Sequence, residues 1–254
     1  NNLGNALQEQ GDLNAAIDSY KRALQINPKH PEAYRNLSLV ELLSGDYDSG
    51  WEHHQWRWKA KDAKKPHAQP QIPEWKGEEL KAGEPLLVVS EQGLGDTIQY
   101  MRYIPYLQKQ GIDVSFCAQT KLHTLIKAAN IHSNPLTTEQ ANAVAIGKWI
   151  PLLSIPKYLG VNPNNPIITD PYISVTDSLI NKWKNILANE QKPIIAINWQ
   201  GNPKMETTYQ GRSLPLEAFS QLCHLDIKLL SLQKGFGAEQ LENCSFKNKF
   251  VSCQ

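Results

Sequence analysis

The chain has only four cysteines in 254 residues, Cys117, Cys223, Cys244 and Cys253, and no two of them form a CxxC pair. Such spacing suggests neither a zinc site nor a disulfide framework, and the thiols read as reduced ones in a cytoplasmic protein. An excess of one charge is also lacking: 26 basic and 25 acidic side chains leave a net charge of +1. Without a broad positive field, no nucleic-acid partner is expected. No stretch approaches the roughly 20 apolar residues of a membrane span, and no signal peptide opens the chain. His53, His54, His67, His123, His132 and His224 are scattered and sit in no motif. They read as structural or exposed residues, and no metal site is expected.

What is present begins with a repeat. Leu3-Gly4 matches Leu37-Ser38, Gly11-Asp12 matches Gly45-Asp46, and Ala16-Ile17 matches Gly50-Trp51, a period of about 34 residues. That period predicts paired antiparallel helices stacked as a solenoid. The small residue at 4 and 38 lets two helices approach, and Gly11 and Gly45 permit the turn between them. With Ala23, Leu24 and Pro28, region 1–62 resembles the tetratricopeptide repeat. The chain opens inside a first helix, as a piece of a longer array would. Asn2 and Asn36 share a repeat position. By resemblance to the asparagine ladder of O-linked N-acetylglucosamine transferases, their amides are candidates to hold a partner peptide. Alternatively the repeats only brace the next domain, for which Trp51 and Trp58, seven apart on one helical face, are suited. The basic run from Arg57 to Lys65 reads as a solvated helix end, and the proline-rich stretch 63–83 as a linker.

From residue 84 the pattern becomes strand, turn and helix. Leu86 to Ser90 reads as a strand, with a helix from Gly95 to about Gln110. A second strand lies at Asp113 to Phe116, a helix at Thr120 to Ala129, and a third strand leads into an apolar loop and short helix within 142–160. This order predicts a parallel, doubly wound sheet, with ligands at the carboxyl ends of its strands. A second unit starts near residue 191, with strands in Lys192 to Pro203 and Ile227 to Leu241 and a helix Leu216 to Leu222 for which Ser213 is a candidate N-cap. The expected architecture is therefore tetratricopeptide helices over 1–62 and two Rossmann-like α/β domains, over 84–190 and over 191–254, the second incomplete.

The stretch SEQGLGDTIQYMRYIP, Ser90 to Pro105, carries the chemistry. A strand-to-helix turn presents backbone N–H groups and the positive end of a helix dipole. A dinucleotide fingerprint needs a small residue where Ile98 stands, and a phosphate loop needs Gly-Lys-Ser/Thr where the chain has Gly-Asp-Thr. An aspartate at the tip repels phosphate and is placed to take a proton from a hydroxyl. The plainer alternative is that the glycines turn the chain and Asp96 caps the helix.

Together, EQGLGDTIQYMRYIP, WIPLLSIP, NWQGNP with GRSLPLEAF, and LLSLQKG resemble the glycosyltransferase-like domain that follows tetratricopeptide repeats in many bacterial proteins. That domain is related to heptosyltransferases and, more remotely, to O-linked N-acetylglucosamine transferases. The resemblance implies a GT-B fold and sugar transfer from a nucleotide-sugar co-substrate, without a metal or other cofactor, to a protein, peptide or glycan acceptor. It makes Asp96 the catalytic base, Gly93 and Gly95 the loop shaping the acceptor cleft, and Glu91 and Gln92 its flanks. Lys204, Arg212 and Lys234 are candidates to steady the diphosphate. Trp199 reads as a core residue beside its strand. The family continues with an Asp-Thr-x-x-x-His-Leu-Ala-Gly segment that helps build the donor site, and the chain reaches Gln254 before it. By resemblance the fragment is truncated in its donor domain and inactive alone. The competing function is a non-catalytic tetratricopeptide scaffold with a degenerate transferase-like domain.

Overall fold

In a computed structural model that describes residues 1–61, 63–168, 170–203, 211 and 213–252, four helices open the chain: α1 (Asn2–Glu9), α2 (Leu13–Ile26), α3 (Pro31–Ser44) and α4 (Tyr47–His54). Their junctions are built from the repeated residues. Asp12 and Asp46 cap α2 and α4 by accepting the Ala15 and Ser49 N–H groups, each at 3.1 Å, and Gly45 ends α3 at a φ of 91° that only glycine adopts at little cost. Gly4 has no room for a side chain, because a Cβ there would lie 2.5 Å from the Tyr20 ring. Tyr20, with Ala16, Leu37 and Val40, forms the buried centre of the repeats.

A short 3-10 turn, Gln55–Lys59, ends the helical region. The sheet that follows has β1 (Pro85–Val89) between β2 (Asp113–Cys117) and β3 (Lys148–Pro151), all parallel. Leu86 and Val88 face one side with Val114, Phe116 and Ile150, against Ile104, Leu107 and Ile126. These come from α6 (Tyr103–Lys109) and α7 (His123–Ala128). Leu87 and Val89 face the other side, packing with Ala68, Ile72, Leu136 and Ala141, the last from α8 (Thr138–Asn142). Both faces of β1 are thus covered, as its uninterrupted apolar sequence requires.

Two expectations change here. The stretch read as a linker covers the second sheet face and extends the sheet: the Trp75 N–H donates to the Trp149 carbonyl at 2.7 Å, and the Trp149 N–H to the Pro73 carbonyl at 2.9 Å. Prolines at 70 and 73 do not prevent this, since an edge needs only alternate donors. The helix expected from Gly95 to Gln110 breaks into α5 (Leu94–Tyr100) and α6. Pro105 has no N–H to give the Met101 carbonyl, so the chain must turn there.

After β3 a 3-10 turn, Leu152–Ser154, leads into α9 (Ile155–Tyr158). Repeats, sheet and the segment to Val175 form one compact unit, and Thr176–Gln254 a second. The second unit contains α10 (Asp177–Leu187) and the parallel pair β4 (Ile194–Ile197) and β5 (Lys228–Ser231). Its core gathers Ile197, Trp199, Leu216, Ile227, Leu229 and Phe246. The expected helix after Pro215 is a 3-10 run, Leu216–His224. Ser213 does not cap it: its Oγ accepts the Gly201 N–H instead, and Leu216 N–H donates to Gln240 Oε1. Among the described residues no helix is long and apolar enough to cross a membrane.

Candidate functional site

At the carboxyl end of β1 the backbone is tied before it turns. Ser90 N–H donates to the Cys117 carbonyl and His67 N–H to the Ser90 carbonyl, both at 2.9 Å. Gln92 then enters the left-handed region at a φ of 63°, which costs a non-glycine residue on the order of 1 kcal/mol and persists only where neighbours enforce it. Gly93 opens α5, and its N–H donates to Asp96 Oδ2 at 2.9 Å, so the aspartate closes the turn that presents it. Asp96 itself is exposed. A Cβ on Gly95 would meet nothing within 4 Å, so this glycine keeps the outer face of the turn low and is not demanded by packing.

Beside the turn lies a groove of about 510 Å³. Gln92, Gly93 and Leu94 form one wall; Ala118, Gln119, Thr120 and Lys121 after β2, with Thr137, Thr138, Glu139 and His67, form the rest. It sits above the carboxyl ends of adjacent parallel strands, where open α/β sheets bind ligands. Its lining mixes amide and hydroxyl side chains with apolar surface, a histidine, a lysine and a glutamate, and Asp96 stands on the same turn without lining it. Gln119 joins the walls, accepting from Thr97 Oγ1 at 2.9 Å and donating to the Gly93 carbonyl at 3.4 Å.

Glu91, expected to flank an acceptor, is fully buried and points away from this groove into an ion pair with Arg57. Arg57 Nε reaches Glu91 Oε2 at 3.0 Å and its terminal NH2 reaches Oε1 at 2.7 Å. The solvated helix end expected at Arg57 is therefore corrected as well, since Arg57 is only 4% exposed. A charged pair placed in the dry junction between repeats and sheet survives only when fully hydrogen-bonded. Burial pushes the Glu91 carboxyl up, and the Arg57 guanidinium pulls it back down. His54, alongside, is held neutral by burial and by Arg57, its value lowered to about 3.

Asn36 is engaged within the repeats, its Nδ2 donating to Asn1 Oδ1 at 3.2 Å and Asn5 Oδ1 at 2.9 Å. Asn2 is exposed on α1. Lys204 and Arg212 lie outside the described residues, and Lys234 is exposed in the loop after β5. Trp199 is buried, and its Nε1 donates to the Gly237 carbonyl at 3.0 Å. Trp51 is buried and donates to the Val161 carbonyl at 2.8 Å, whereas Trp58 lies in the 3-10 turn after α4 and does not share a helical face with it. Among the described residues no cluster of three or more His, Cys, Asp or Glu is arranged to hold a metal ion. Gln119 and Arg57 escaped the sequence reading. The first has no motif around it, and the second is disguised by the basic run that follows.

Compared with known proteins, the chain matches the TPR repeat family over residues 4–43. No curated protein matches it. The chain therefore carries a TPR repeat, a module whose stacked helices suit protein interaction.

Proposed function

We propose that the groove at the carboxyl ends of β1 and β2 is the acceptor side of a metal-independent, inverting glycosyltransferase of the GT-B type, with Asp96 as its general base. The observation that supports this reading most is the 92–97 turn: a carboxylate oriented by its bond to the Gly93 N–H, at the solvent edge of a turn whose residues Gln92, Gly93 and Leu94 wall the groove. In this reading Asp96 takes the proton of an acceptor hydroxyl, and the freed oxygen pair attacks the anomeric carbon of a nucleotide-sugar. The bond from that carbon to the diphosphate breaks, the nucleoside diphosphate leaves with the electron pair, and the anomeric configuration inverts. Lys234, Lys204 and Arg212 steady the departing diphosphate, and the TPR region recruits the protein, peptide or glycan acceptor.

The test uses the full-length protein. Thermal shift against UDP-, GDP- and ADP-sugars should show stabilisation by one nucleotide family, about 2.7 kcal/mol at a hundredfold excess over Kd. Asp96→Asn keeps an oxygen for the Gly93 N–H, so it should bind donor and melt like wild type but transfer no sugar. Transfer by the Asn variant would remove Asp96 from the chemistry.

A second reading, a TPR scaffold with a silent transferase-like domain, is favoured by one detail: closing the turn is a sufficient structural reason for Asp96. It predicts no response to any nucleotide-sugar and a peptide bound by the repeats.

A further inference from the structure

Arg57 has five N–H donors, and the structure uses all of them. Two go to the two oxygens of Glu91; a second from NH2 goes to Ser154 Oγ at 2.8 Å; those of NH1 go to the His54 carbonyl at 3.0 Å and to His54 Nδ1 at 3.4 Å. Ser154 Oγ in turn donates a hydrogen bond to Gln55 Oε1 at 2.9 Å. Glu91 is equally committed, since Oε1 also accepts the Leu153 N–H at 3.0 Å. Three segments thus meet on one buried pair: the end of the helical repeats, the residue before the 92–97 turn, and the loop after β3. Apart from His54, three residues before Arg57, these partners are distant in sequence, so the full set of bonds exists only when all three segments are in place.

Its position bears on the groove. Glu91 directly precedes Gln92, whose left-handed backbone aims Gly93 and Asp96 at the solvent edge. Fixing one side of a left-handed residue by a bidentate ion pair and the other by the Gly93–Asp96 closure leaves the turn no cheaper conformation.

We propose that the Arg57–Glu91 pair is a positioning device through which the TPR helices set the geometry of the 92–97 turn, making the repeats part of the groove's construction and not a detachable recruiting arm. The functional weight of this rests on the reading of the groove as an acceptor site, while its structural content does not.

The experiment is amide hydrogen exchange across 92–97 in the full chain, with thermal melts on the same samples. Arg57→Met and Glu91→Met each leave a buried charge unpaired, so both should melt earlier and exchange the Gly93 and Thr97 amides at least about tenfold faster. The double variant Arg57→Met/Glu91→Met removes both charges. It should recover the melting temperature yet keep the fast-exchanging turn, which a purely stabilising pair would not do. Arg57→Lys keeps the charge without the fork, so it should melt above Arg57→Met but below wild type, again with a fast turn. Wild-type exchange at 93 and 97 in either folded variant overturns the proposal. Loss of the glycosyltransferase reading would show separately, as absent nucleotide-sugar response in the wild-type protein, and would leave the exchange result standing.

Discussion

The two sheets obey the same pattern of parallel strands but differ in how they are covered. β1 is buried on both faces along almost its whole length, whereas β4, equally apolar in sequence, exposes Ile195 at 38% and meets a core on one side only. Likewise α3 buries five residues, while α10 buries none and leaves Leu179, Ile180 and Trp183 at the surface. An apolar strand or an amphipathic helix states a demand for burial. Whether that demand is met depends on which other segments reach it. In the first unit they arrive from far along the chain: residues 68–75 cover one sheet face, and α4 with its following turn covers the junction.

That contrast can be broken most sharply by matched truncations. Leu86→Ala, at a fully buried position of β1, should cost about 2–5 kcal/mol in urea unfolding followed by exchange of the β1 amides. If it costs no more than the matched change in β4, the contrast in coverage has no energetic content.

A pH series probes the junction specifically. His54 is lowered to about 3 from 6.5, so on acidification the unfolded chain takes up a proton that the folded chain refuses. Its contribution is complete above pH 6.5 and is lost progressively toward pH 3, amounting to about 2 kcal/mol by pH 5. His54→Asn should flatten this part of the stability profile of the first unit; an unchanged slope would show that His54 titrates normally. The smallest effect is expected for Ile195→Ala, below about 1 kcal/mol, read from exchange of the β4 amides. A larger loss would mean that this strand is better covered than its exposure shows.

Local features of the fold were legible because their causes are local. The repeat period, the Asp12 and Asp46 caps and the Gly45 turn each depend on residues within one helical junction. The glycine turn after β1 and the closing role available to Asp96 were equally readable from Gly93 to Thr97. Most of the misreadings were long-range. Arg57 looked solvated because the neighbouring basic residues concealed that its partner stands 34 positions away. Glu91 looked like a groove residue because a turn residue's direction depends on what pulls it. Pro105 could have warned of the break between α5 and α6, since the effect of a proline on the preceding turn is local.

Composition and pattern by themselves determined that this chain would build stacked helices followed by apolar parallel strands, and that the turn after the first strand would carry an aspartate at a helix start. Those outcomes follow from backbone sterics, capping and burial, which act over a few residues. Only the tertiary structure decided that Glu91 turns inward to Arg57 while Gln92 and Gly93 turn outward to the groove, and that a proline-rich stretch becomes a sheet cover. The reason is physical: a buried charge takes whatever fully hydrogen-bonded partner the packed chain brings within about 3 Å, and no property of the residue itself names that partner.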